Sequence, residues 1–288
     1  MSSASSPYGR FPVEGAGLGL RTEFWEQYID QPPAQVDFLE VAPENWMGVG
    51  GVRGRKFREF SERFPVVCHG LSLSIGGPAP LDEDFLKQLK TFLDRHDVRV
   101  YTEHLSYCGD SGQLYDLMPI PHSQEAVTYV ADRIRRVQDI LERRIGMENV
   151  STYAAPASEM AEVEFVNAVL EEADCGLHLD VNNIYVNAIN HGFDAHDYLA
   201  RLPGERILYA HIAGHLYEAE DLRVDTHGED VIPEVWKLLD SAYEQFGVFP
   251  TLLERDFNIP PLEELLKEVD RIAAAQQRAL GRERAHVA

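Results

Sequence analysis

The amino-acid sequence predicts an α/β protein with the TIM (β/α)8 barrel fold. Short apolar runs alternate with amphipathic helical segments from one end of the chain to the other, without a break that would mark a second domain. The length of 288 residues suits one barrel, for which about 250 residues is typical. We therefore predict a single domain over residues 15–280, between a flexible N-terminal tail (1–14) and a C-terminal tail (281–288).

The predicted strands are short runs rich in valine, leucine and isoleucine, a composition typical of buried parallel strands. Most of these runs end at a polar residue or a turn. Eight of them occur, which is the number that a TIM barrel requires. In chain order the predicted strands are residues 15–20, 36–41, 66–69, 99–104, 145–148, 177–181, 207–213 and 250–254.

The helices are predicted from apolar residues at helical spacing and from residues that cap helix starts. Asp82 and Ser123 are typical N-caps, and the segments after them carry an apolar face. Polar stretches after strands four, six (182–187) and seven are predicted as loops. The predicted helices are 22–29, 53–63, one that follows Asp82, one that follows Ser123, 158–173, 195–201, 229–246 and 261–277.

Six of the predicted strands end with a histidine, a glutamate or an aspartate at or beside the last position. Successive members of this set are 31 to 44 positions apart, about the length of one strand plus one helix. The carboxyl ends of all strands in a parallel barrel meet at one mouth, where the active site lies. The residues predicted to converge there are His69, His104, Glu148, Asp180, His211 and Glu254.

Imidazole and carboxylate groups gathered in one pocket indicate a metal centre. Crowded carboxylates resist burial unless a cation compensates their charge, and this mixture of ligands suits iron, manganese or zinc. His215, Asp225 and His227, in the loop after strand seven, are further candidate ligands for a second or third ion. Glu148, in the middle of the set, is expected to bridge two metals. The residues predicted to form the catalytic centre are Glu148, Asp180 and His211.

Other residues near the strand ends are predicted to support this centre. Glu40, at the end of strand two, is a candidate acceptor for the second N–H of a metal-bound histidine. Glu103 is expected to point away from the mouth, because side chains alternate along a strand. The residues predicted to offer neutral hydrogen bonds to a substrate or to a metal-bound group are Asn45, Ser72, Ser106, Asn149 and Asn183.

The same alternation predicts an interior layer beneath the metal ligands. Each member lies two positions before a strand-end ligand and therefore points to the same side of the strand. His178 is the unusual member, and we expect a hydrogen-bonded interior histidine there rather than a ligand. The predicted layer consists of Val67, Thr102, Gly146, His178, Tyr209 and Leu252.

Composition narrows the class of protein. A formal net charge of −22 disfavours nucleic acid as a partner, because an acidic surface repels phosphate backbones. No apolar run approaches the ~20 residues of a membrane span, and the start of the chain lacks an apolar signal segment, so we expect a cytoplasmic protein. The three cysteines include no Cys-x-x-Cys pair, which argues against disulfides or a thiolate zinc site. Cys68 is expected to fill the core, whereas the role of Cys108, in a loop at the mouth, is left open.

Several segments together resemble the DUF692 family, also called UPF0276. The resemblance extends from residue 15 to about residue 272. The segments that carry it are 40–46 (EVAPENW), 69–76 (HGLSLSIG), 103–106 (EHLS), 148–149 (EN), 179–183 (LDVNN), 211–215 (HIAGH) and 225–228 (DTHG).

The resemblance implies a barrel of the xylose-isomerase type and an oxidative enzyme. Members of the family are described as multinuclear non-haem iron enzymes that act with O2 on cysteines of ribosomally made peptides. It implies two or three iron ions, a cysteine-containing precursor peptide, and a small partner protein that presents the peptide. The ligand set itself also accommodates zinc or manganese in the protein as purified. The ligands implied by the family motifs are His69, His104, Glu148, Asp180, His211, Asp225, His227 and Glu254, with less defined roles for Asn183 and His215.

Two other functions fit the same residues. One is a metal-dependent isomerase or hydrolase of the xylose-isomerase or endonuclease IV type, in which a metal-bound water attacks the substrate or two metals polarise a sugar. No lysine closely follows the six strand-end ligands, as the usual isomerase would have, and the acidic surface disfavours DNA. The other is a non-catalytic binding protein that metals stabilise.

Overall fold

Eight parallel strands close into a barrel in this computed structural model, which describes residues 9–109, 112–154 and 158–287. The predicted TIM barrel is therefore confirmed, with small shifts in strand bounds. The barrel strands are β1 (Ala16–Gly19), β2 (Phe38–Val41), β3 (Val66–His69), β4 (Tyr101–His104), β7 (Gly146–Glu148), β8 (Gly176–Asp180), β9 (Ile207–Ile212) and β12 (Thr251–Leu253). They close in the order β1-β12-β9-β8-β7-β4-β3-β2.

Four further strands form two small antiparallel hairpins outside the barrel. The sequence predicts only loops there, because neither segment shows the apolar run of a barrel strand. One hairpin pairs β5 (Tyr107–Gly109) with β6 (Gln113–Met118), and the other pairs β10 (Leu216–Ala219) with β11 (Leu222–Val224). They follow strands β4 and β9, so both rise from the end of the barrel where the strand-end residues gather.

Helices surround the barrel and follow the strands, as the sequence predicts, with differences at some ends. The last helix continues to Val287, through residues that the sequence predicts as a tail. Of the predicted N-terminal tail, residues 1–8 lie outside the described part of the chain. The helices are α1 (Trp25–Asp30), α2 (Gly51–Arg63), α3 (Glu83–Arg95), α4 (Gln124–Leu141), α5 (Glu162–Ala173), α6 (Val181–His191), α7 (Ala195–Ala200), α8 (Pro233–Phe246) and α9 (Leu262–Val287).

Helix α6 replaces the polar loop that the sequence predicts at residues 182–187. Asp180 caps it by accepting a hydrogen bond from the backbone N–H of Asn183 at 2.6 Å. Asparagine is a weak helix former, so the sequence pattern favours a loop. The asparagine side chains instead bond to neighbouring segments, for example Asn187 Nδ2 to the Val150 carbonyl at 2.9 Å. These tertiary contacts stabilise the helix.

The register of the strands brings the predicted ligands next to one another. His104 pairs with Glu148 across β4 and β7, and Asp180 pairs with His211 across β8 and β9. Beneath them the barrel is filled by side chains: Thr102, His178, Tyr209, Val67 and Leu252 are all fully buried. The interior layer predicted from alternation is therefore present below the mouth.

The interface between strands and helices forms the main hydrophobic core. Cys68 is part of it, as predicted, and Cys108 and Cys175 are also buried and free. In the described part of the chain, no helix combines the length and the apolar character that crossing a bilayer would need.

Candidate metal centre

Glu148 lies between two groups of candidate ligands at the mouth. One of its oxygens, Oε2, lies 3.1 Å from His69 Nε2 and 3.4 Å from His104 Nε2. The other oxygen, Oε1, lies 3.8 Å from His211 Nδ1. Each oxygen therefore faces a different group, which is the arrangement that a bridging carboxylate needs.

The second group surrounds His211. Its Nδ1 atom lies 3.0 Å from Glu254 Oε2 and 3.9 Å from Asp180 Oδ2. His211 and Asp180 are completely buried. Glu148, Asp180 and His211 each offer a ligand atom within 4.8 Å of the others, so the predicted catalytic centre is a compact cluster.

A third group extends from Asp180 and Glu254 to the loop after β11. His227 Nδ1 lies 3.4 Å from Glu254 Oε2, and His227 Nε2 lies 2.6 Å from Asp225 Oδ1. Asp225 also accepts hydrogen bonds from Ser151 Oγ at 3.0 Å and Asn182 Nδ2 at 2.8 Å. Asp180, His227 and Glu254 together could hold one ion.

A chain of hydrogen bonds fixes the protons of His69 and His211. Tyr209 Oη donates to Glu40 Oε2 at 2.6 Å, and Glu40 also accepts from His211 Nε2 at 2.9 Å. Because the Tyr209 proton is used there, Thr102 Oγ1 donates to Tyr209 (3.0 Å) and accepts from His69 Nδ1 (2.8 Å). His69 Nε2 and His211 Nδ1 are therefore left with lone pairs for a metal.

His104 and His227 are held in the same way by carboxylates. Glu103 Oε2 accepts from the His104 backbone N–H at 2.8 Å and lies 3.4 Å from His104 Nδ1. The sequence predicts that Glu103 points away from the mouth. Its Oε1 does lie on the side of β4 that carries Tyr101, 3.4 Å from the Tyr101 hydroxyl, but its Oε2 still reaches His104 because the long side chain folds back where the strand ends. Asp256 Oδ2 lies 3.0 Å from His227 Nδ1, and Asp256 pairs with Arg21.

Asp256 and the hydroxyl groups of Thr102 and Tyr209 are functional contacts that the sequence did not assign. Asp256 follows Glu254 by two positions, and period two along an extended chain is the signal that could have indicated it. Thr102 and Tyr209 are predicted only as members of the interior layer. Their role depends on the residue that each hydroxyl contacts, and the register of the strands determines that residue.

His178 is interior, as predicted, but neither ring nitrogen has a hydrogen-bond partner among the described residues. The ring lies 4.1 Å from the Tyr209 ring and 4.0 Å from the His211 ring, between centroids. Burial, and then the nearby His211, lower the pKa of His178 well below its usual value, so it is neutral. It shares one candidate ligand group with Glu40 and His211, and another with His69 and Glu148.

His215 lies outside the groups described above. Its Nδ1 atom is 2.7 Å from Asn182 Oδ1, and its ring stacks on Tyr185. Burial, and then the charge of Arg223, lower the pKa of His215 to about 4. Asn182 also donates a hydrogen bond to Asp225. His215 is therefore connected to the cluster indirectly, through Asn182.

The predicted neutral residues differ in how close they come to the cluster. Asn149 holds the end of β8 by bonding both the N–H and the carbonyl of Asp180, at 3.0 and 2.8 Å. Asn183 Nδ2 lies 3.5 Å from Glu148 Oε1. Ser72 donates to Glu44, Ser106 is buried, and Asn45 is exposed beside the mouth.

Two observations indicate that this set of donor atoms suits metal ions. Several buried ligand atoms at the centre of the cluster have no hydrogen-bond partner among the described residues, namely Glu148 Oε2, Asp180 Oδ2, His211 Nδ1, His227 Nε2 and Glu254 Oε2. Three of the pairs that such atoms form with their neighbours, Glu148–His69, His211–Glu254 and His227–Glu254, are 3.0 to 3.4 Å apart. Adjacent ligands of one octahedral ion, with bonds of about 2.1 Å, lie about 3 Å apart.

Charge at the centre supports the same conclusion. Although burial opposes ionisation, the neighbouring histidines lower the pKa of Glu148 to about 2. Burial likewise opposes the charged form of His104, but Glu148 and Glu103 raise its pKa to about 9. Burial, followed by the charges of Glu148 and Asp225, raises the pKa of Asp180 well above its usual value. The cluster thus takes up protons to balance its carboxylates, and bound cations would replace those protons.

A cavity of about 320 Å³ opens above the cluster. His104, Glu148 and His227 form part of its wall, so a substrate in the cavity would contact the candidate ligands directly. The exposed side chains of Phe257 and Tyr153 line it, together with the half-buried Leu117 of β6. The mouth therefore combines a polar floor with an apolar rim.

Fold and site together define a TIM-barrel protein whose mouth carries a histidine and carboxylate cluster suited to several metal ions. Residues 15–277 match the family described as "RiPP precursor modification enzyme MbnB/TglH/ChrH", where RiPP denotes a ribosomally made and modified peptide. The chain belongs to this family, and the resemblance found in its sequence is confirmed. Family and fold indicate an enzyme that modifies a peptide precursor.

Two relatives are similar to this chain over nearly their whole length. A UPF0276 protein of Shewanella loihica is 63% identical over 264 residues, covering 92% of this chain and 95% of the relative. A UPF0276 protein of Pseudomonas aeruginosa is 58% identical over 267 residues, covering 93% of this chain and 94% of the relative.

Solved structures with the same fold are much more distant in sequence. D-psicose 3-epimerase of Clostridium cellulolyticum is 12% identical, with a TM-score of 0.58 and coverage of 94% of this chain and 98% of that one. Endonuclease IV of Thermus thermophilus is 14% identical, with a TM-score of 0.56 and coverage of 92% and 99%. These similarities show the xylose-isomerase-like barrel alone.

Proposed function

We propose that this protein oxidises cysteine residues of a ribosomally made precursor peptide, using O2 and two or three iron ions held at the barrel mouth. A small partner protein presents the peptide. The observation that carries the proposal is the cluster itself, in which Glu148 lies between two groups of candidate ligands. Glu148 Oε2 and His211 Nδ1 are among its buried atoms that have no hydrogen-bond partner in the described part of the chain. Membership of a peptide-modifying family supplies the substrate class.

The candidate ligands form three positions, each of which would hold one of the proposed ions. His69, His104 and Glu148 would hold one ion, and Glu148, Asp180, His211 and Glu254 would hold a second. Asp180, Asp225, His227 and Glu254 would hold a third. Bound ferrous iron supplies the one-electron chemistry with O2 that protein side chains do not offer.

The protein's own residues prepare this centre in three ways. The Thr102–Tyr209–Glu40 chain keeps His69 and His211 in the tautomers that bind a metal. The four carboxylates of the cluster offset much of the charge of the ions, which lowers the cost of holding them in a buried site. The apolar rim with Phe257 favours binding of a peptide and removal of water from the cavity.

The test is reconstitution of the full chain with Fe(II) without air, followed by a metal count and Mössbauer spectroscopy. A short, cysteine-containing peptide encoded beside the gene is then co-expressed with the protein, and its mass and O2 uptake are measured. We expect at least two iron ions per chain, O2 uptake, and a changed peptide mass. A peptide with serine in place of each cysteine, and protein loaded with zinc, serve as matched controls.

Two results would contradict the proposal. Iron content near zero after gentle purification and Fe(II) loading would exclude the iron centre. Turnover by zinc- or manganese-loaded protein in the absence of O2 would favour a metal-dependent isomerase or hydrolase instead.

A further inference from the structure

A second cavity lies outside the barrel, between helices α2 and α3. Its volume is about 550 Å³, which is in the range of small-molecule sites. The segment from Trp46 to Gly51 forms one end, and Gln88, Thr91 and Phe92 of α3 form part of the opposite wall. None of the candidate metal ligands lines it, so it is separate from the proposed metal centre.

The lining of this cavity is basic in a strongly acidic protein. It includes Arg55, Arg58, Arg95 and His96 and contains no aspartate or glutamate. The whole chain has 48 acidic residues against 26 lysines and arginines, so a surface of this size without a carboxylate is unexpected. The cavity therefore concentrates positive charge.

The three arginines also lack partners. Among the arginines whose side chains the structure describes, Arg55, Arg58 and Arg95 are those whose side chain makes no hydrogen bond, ion pair or aromatic ring contact. Other surface arginines are paired; Arg136, for example, bonds Glu83 and Arg278 bonds Asp240. That these three side chains line one cavity points to a missing anionic partner.

These positive groups converge on one region. Arg55 and Arg58 are three positions apart on α2 and so lie on the same side of the helix. Arg95 ends α3, next to His96. Burial, followed by the charges of Arg95 and Arg58, lowers the pKa of His96, so both guanidinium groups act on the same ring.

The backbone and the remaining wall add features that suit an organic anion. A Cβ atom at Gly48 or Gly50 would meet no other atom within 4 Å, so the backbone of this segment is open to the cavity. Helix α2 starts there without a side-chain cap, which leaves N–H groups for oxygen atoms of a ligand. Trp46 and Phe92 supply an apolar wall.

We propose that this cavity binds a small phosphorylated molecule that carries at least two negative charges. The planar guanidinium group pairs with phosphate oxygens through two parallel hydrogen bonds, so three arginines can saturate a diphosphate. The volume leaves room for an organic group against Trp46 and Phe92. The proposal is independent of the chemistry at the mouth of the barrel.

Calorimetric titration of the full chain tests the proposal, with pyrophosphate and ADP as probes and citrate as a carboxylate of similar charge. We expect pyrophosphate and ADP to bind and citrate to bind at least about tenfold more weakly. The variants Arg58→Gln and Arg95→Gln should each weaken binding about tenfold or more, because each removes charged hydrogen bonds. Arg278→Gln, which loses the same charge on the far side of the barrel, should bind as the wild type does.

The variants also separate this cavity from the metal centre, where phosphate could bind as well. Equal affinity of the wild type and both arginine variants would place any binding elsewhere and overturn the proposal. So would the absence of measurable heat at millimolar pyrophosphate and ADP, or binding of citrate as tight as that of pyrophosphate.

Discussion

Glu148 is the residue on which the proposed arrangement of ions depends most. Its two oxygens face two different sets of ligands, His69 and His104 on one side and His211 on the other. Burial is tolerated only because these neighbours favour its ionised form, which lowers its pKa to about 2. A neutral side chain of the same shape would lose this function without leaving a hole.

We expect Glu148→Gln to lower the iron bound after anaerobic loading by at least one ion per chain, since one neutral amide oxygen cannot bridge two cations. Plasma mass spectrometry measures the metal content. Glu162→Gln is the matched control, because Glu162 is a half-buried carboxylate that bonds Tyr198 and Asn187 away from the cluster. If Glu148→Gln bound as much iron as the wild type, the proposal that Glu148 bridges two ions would be wrong.

Thr102 acts on the centre through His69, and its hydroxyl can be removed with little change in shape. Thr102→Val leaves His69 Nδ1 without its acceptor and breaks the chain to Tyr209. Loss of such a partner lowers metal affinity by about 10- to 100-fold, and we expect a loss in this range in Fe(II) titrations. Thr102→Ser keeps the hydroxyl and should retain most of the affinity. Equal losses in both variants would indicate a packing effect instead.

The sequence predicts the candidate ligands better than the residues that hold them. His69, His104, Glu148, Asp180 and His211 follow strands at regular intervals, and parallel strands all end at one mouth, so their convergence follows from topology. Which atom each histidine uses depends on contacts between strands. Those contacts follow from register and side-chain length, as the contact of Glu103 Oε2 with His104 Nδ1 demonstrates.

At the scale of elements, strands were easier to predict than the segments that connect them. The barrel strands are apolar because helices cover their outer faces and packed side chains fill the interior, and this composition is visible in the sequence. Helix α6 and the two hairpins depend on tertiary hydrogen bonds, such as those of Asn183 to Asn149 and of Asn187 to Val150. Local propensity carries no signal of such contacts, so the sequence predicts loops for these segments.

Glu162 joins three of these helices and gives the fold a dependence on pH. It begins α5, accepts from Asn187 of α6 at 3.2 Å, and accepts from Tyr198 of α7 at 2.9 Å. Burial raises the pKa of Glu162, and the two hydrogen bonds offset only part of that effect. The folded state therefore holds the proton more tightly than the unfolded state does.

We expect the wild type to lose stability relative to Glu162→Gln as the pH rises. At a pH well below the unfolded pKa the residue is protonated in both states and contributes nothing; above the folded pKa it is ionised in both, and the full cost of burial applies. The difference in unfolding free energy between the variant and the wild type should therefore increase from pH 4 to neutral pH, roughly the range above the usual carboxyl pKa. Urea unfolding at a series of pH values measures it, and a flat difference would contradict the assignment.

For the molecule as a whole, closure of the barrel creates the site and also crowds negatively charged carboxylates at its mouth. Closure leaves no free edge in the eight-stranded sheet, and it forces strand ends that are far apart in sequence into one pocket. The fold class could be predicted because it requires only the number, order and composition of the strands. The gathered carboxylates, in a chain with a net charge of −22, then oppose folding unless protons or cations compensate them.

Metal binding should therefore stabilise the whole protein. The ligands come from six barrel strands and a loop, so they are assembled in the folded state and scattered in the unfolded one. A ligand present at about 1,000 times its Kd stabilises a protein by about 4 kcal/mol, which corresponds to a rise in the unfolding midpoint of roughly 10 °C for a domain of this size. Calorimetry of chelated and Fe(II)-loaded protein without air measures this rise.

Magnesium chloride at matched ionic strength is the control, because general screening of the negative surface would raise the midpoint with either salt. Oxygen-preferring magnesium is a poor match for a cluster with histidine ligands, so its effect should be much smaller. Glu148→Gln should gain less from Fe(II) than the wild type does, since it retains fewer ligands for the shared ions. Equal midpoints with and without Fe(II) would mean that the cluster does not hold iron, whatever the peptide chemistry of the family.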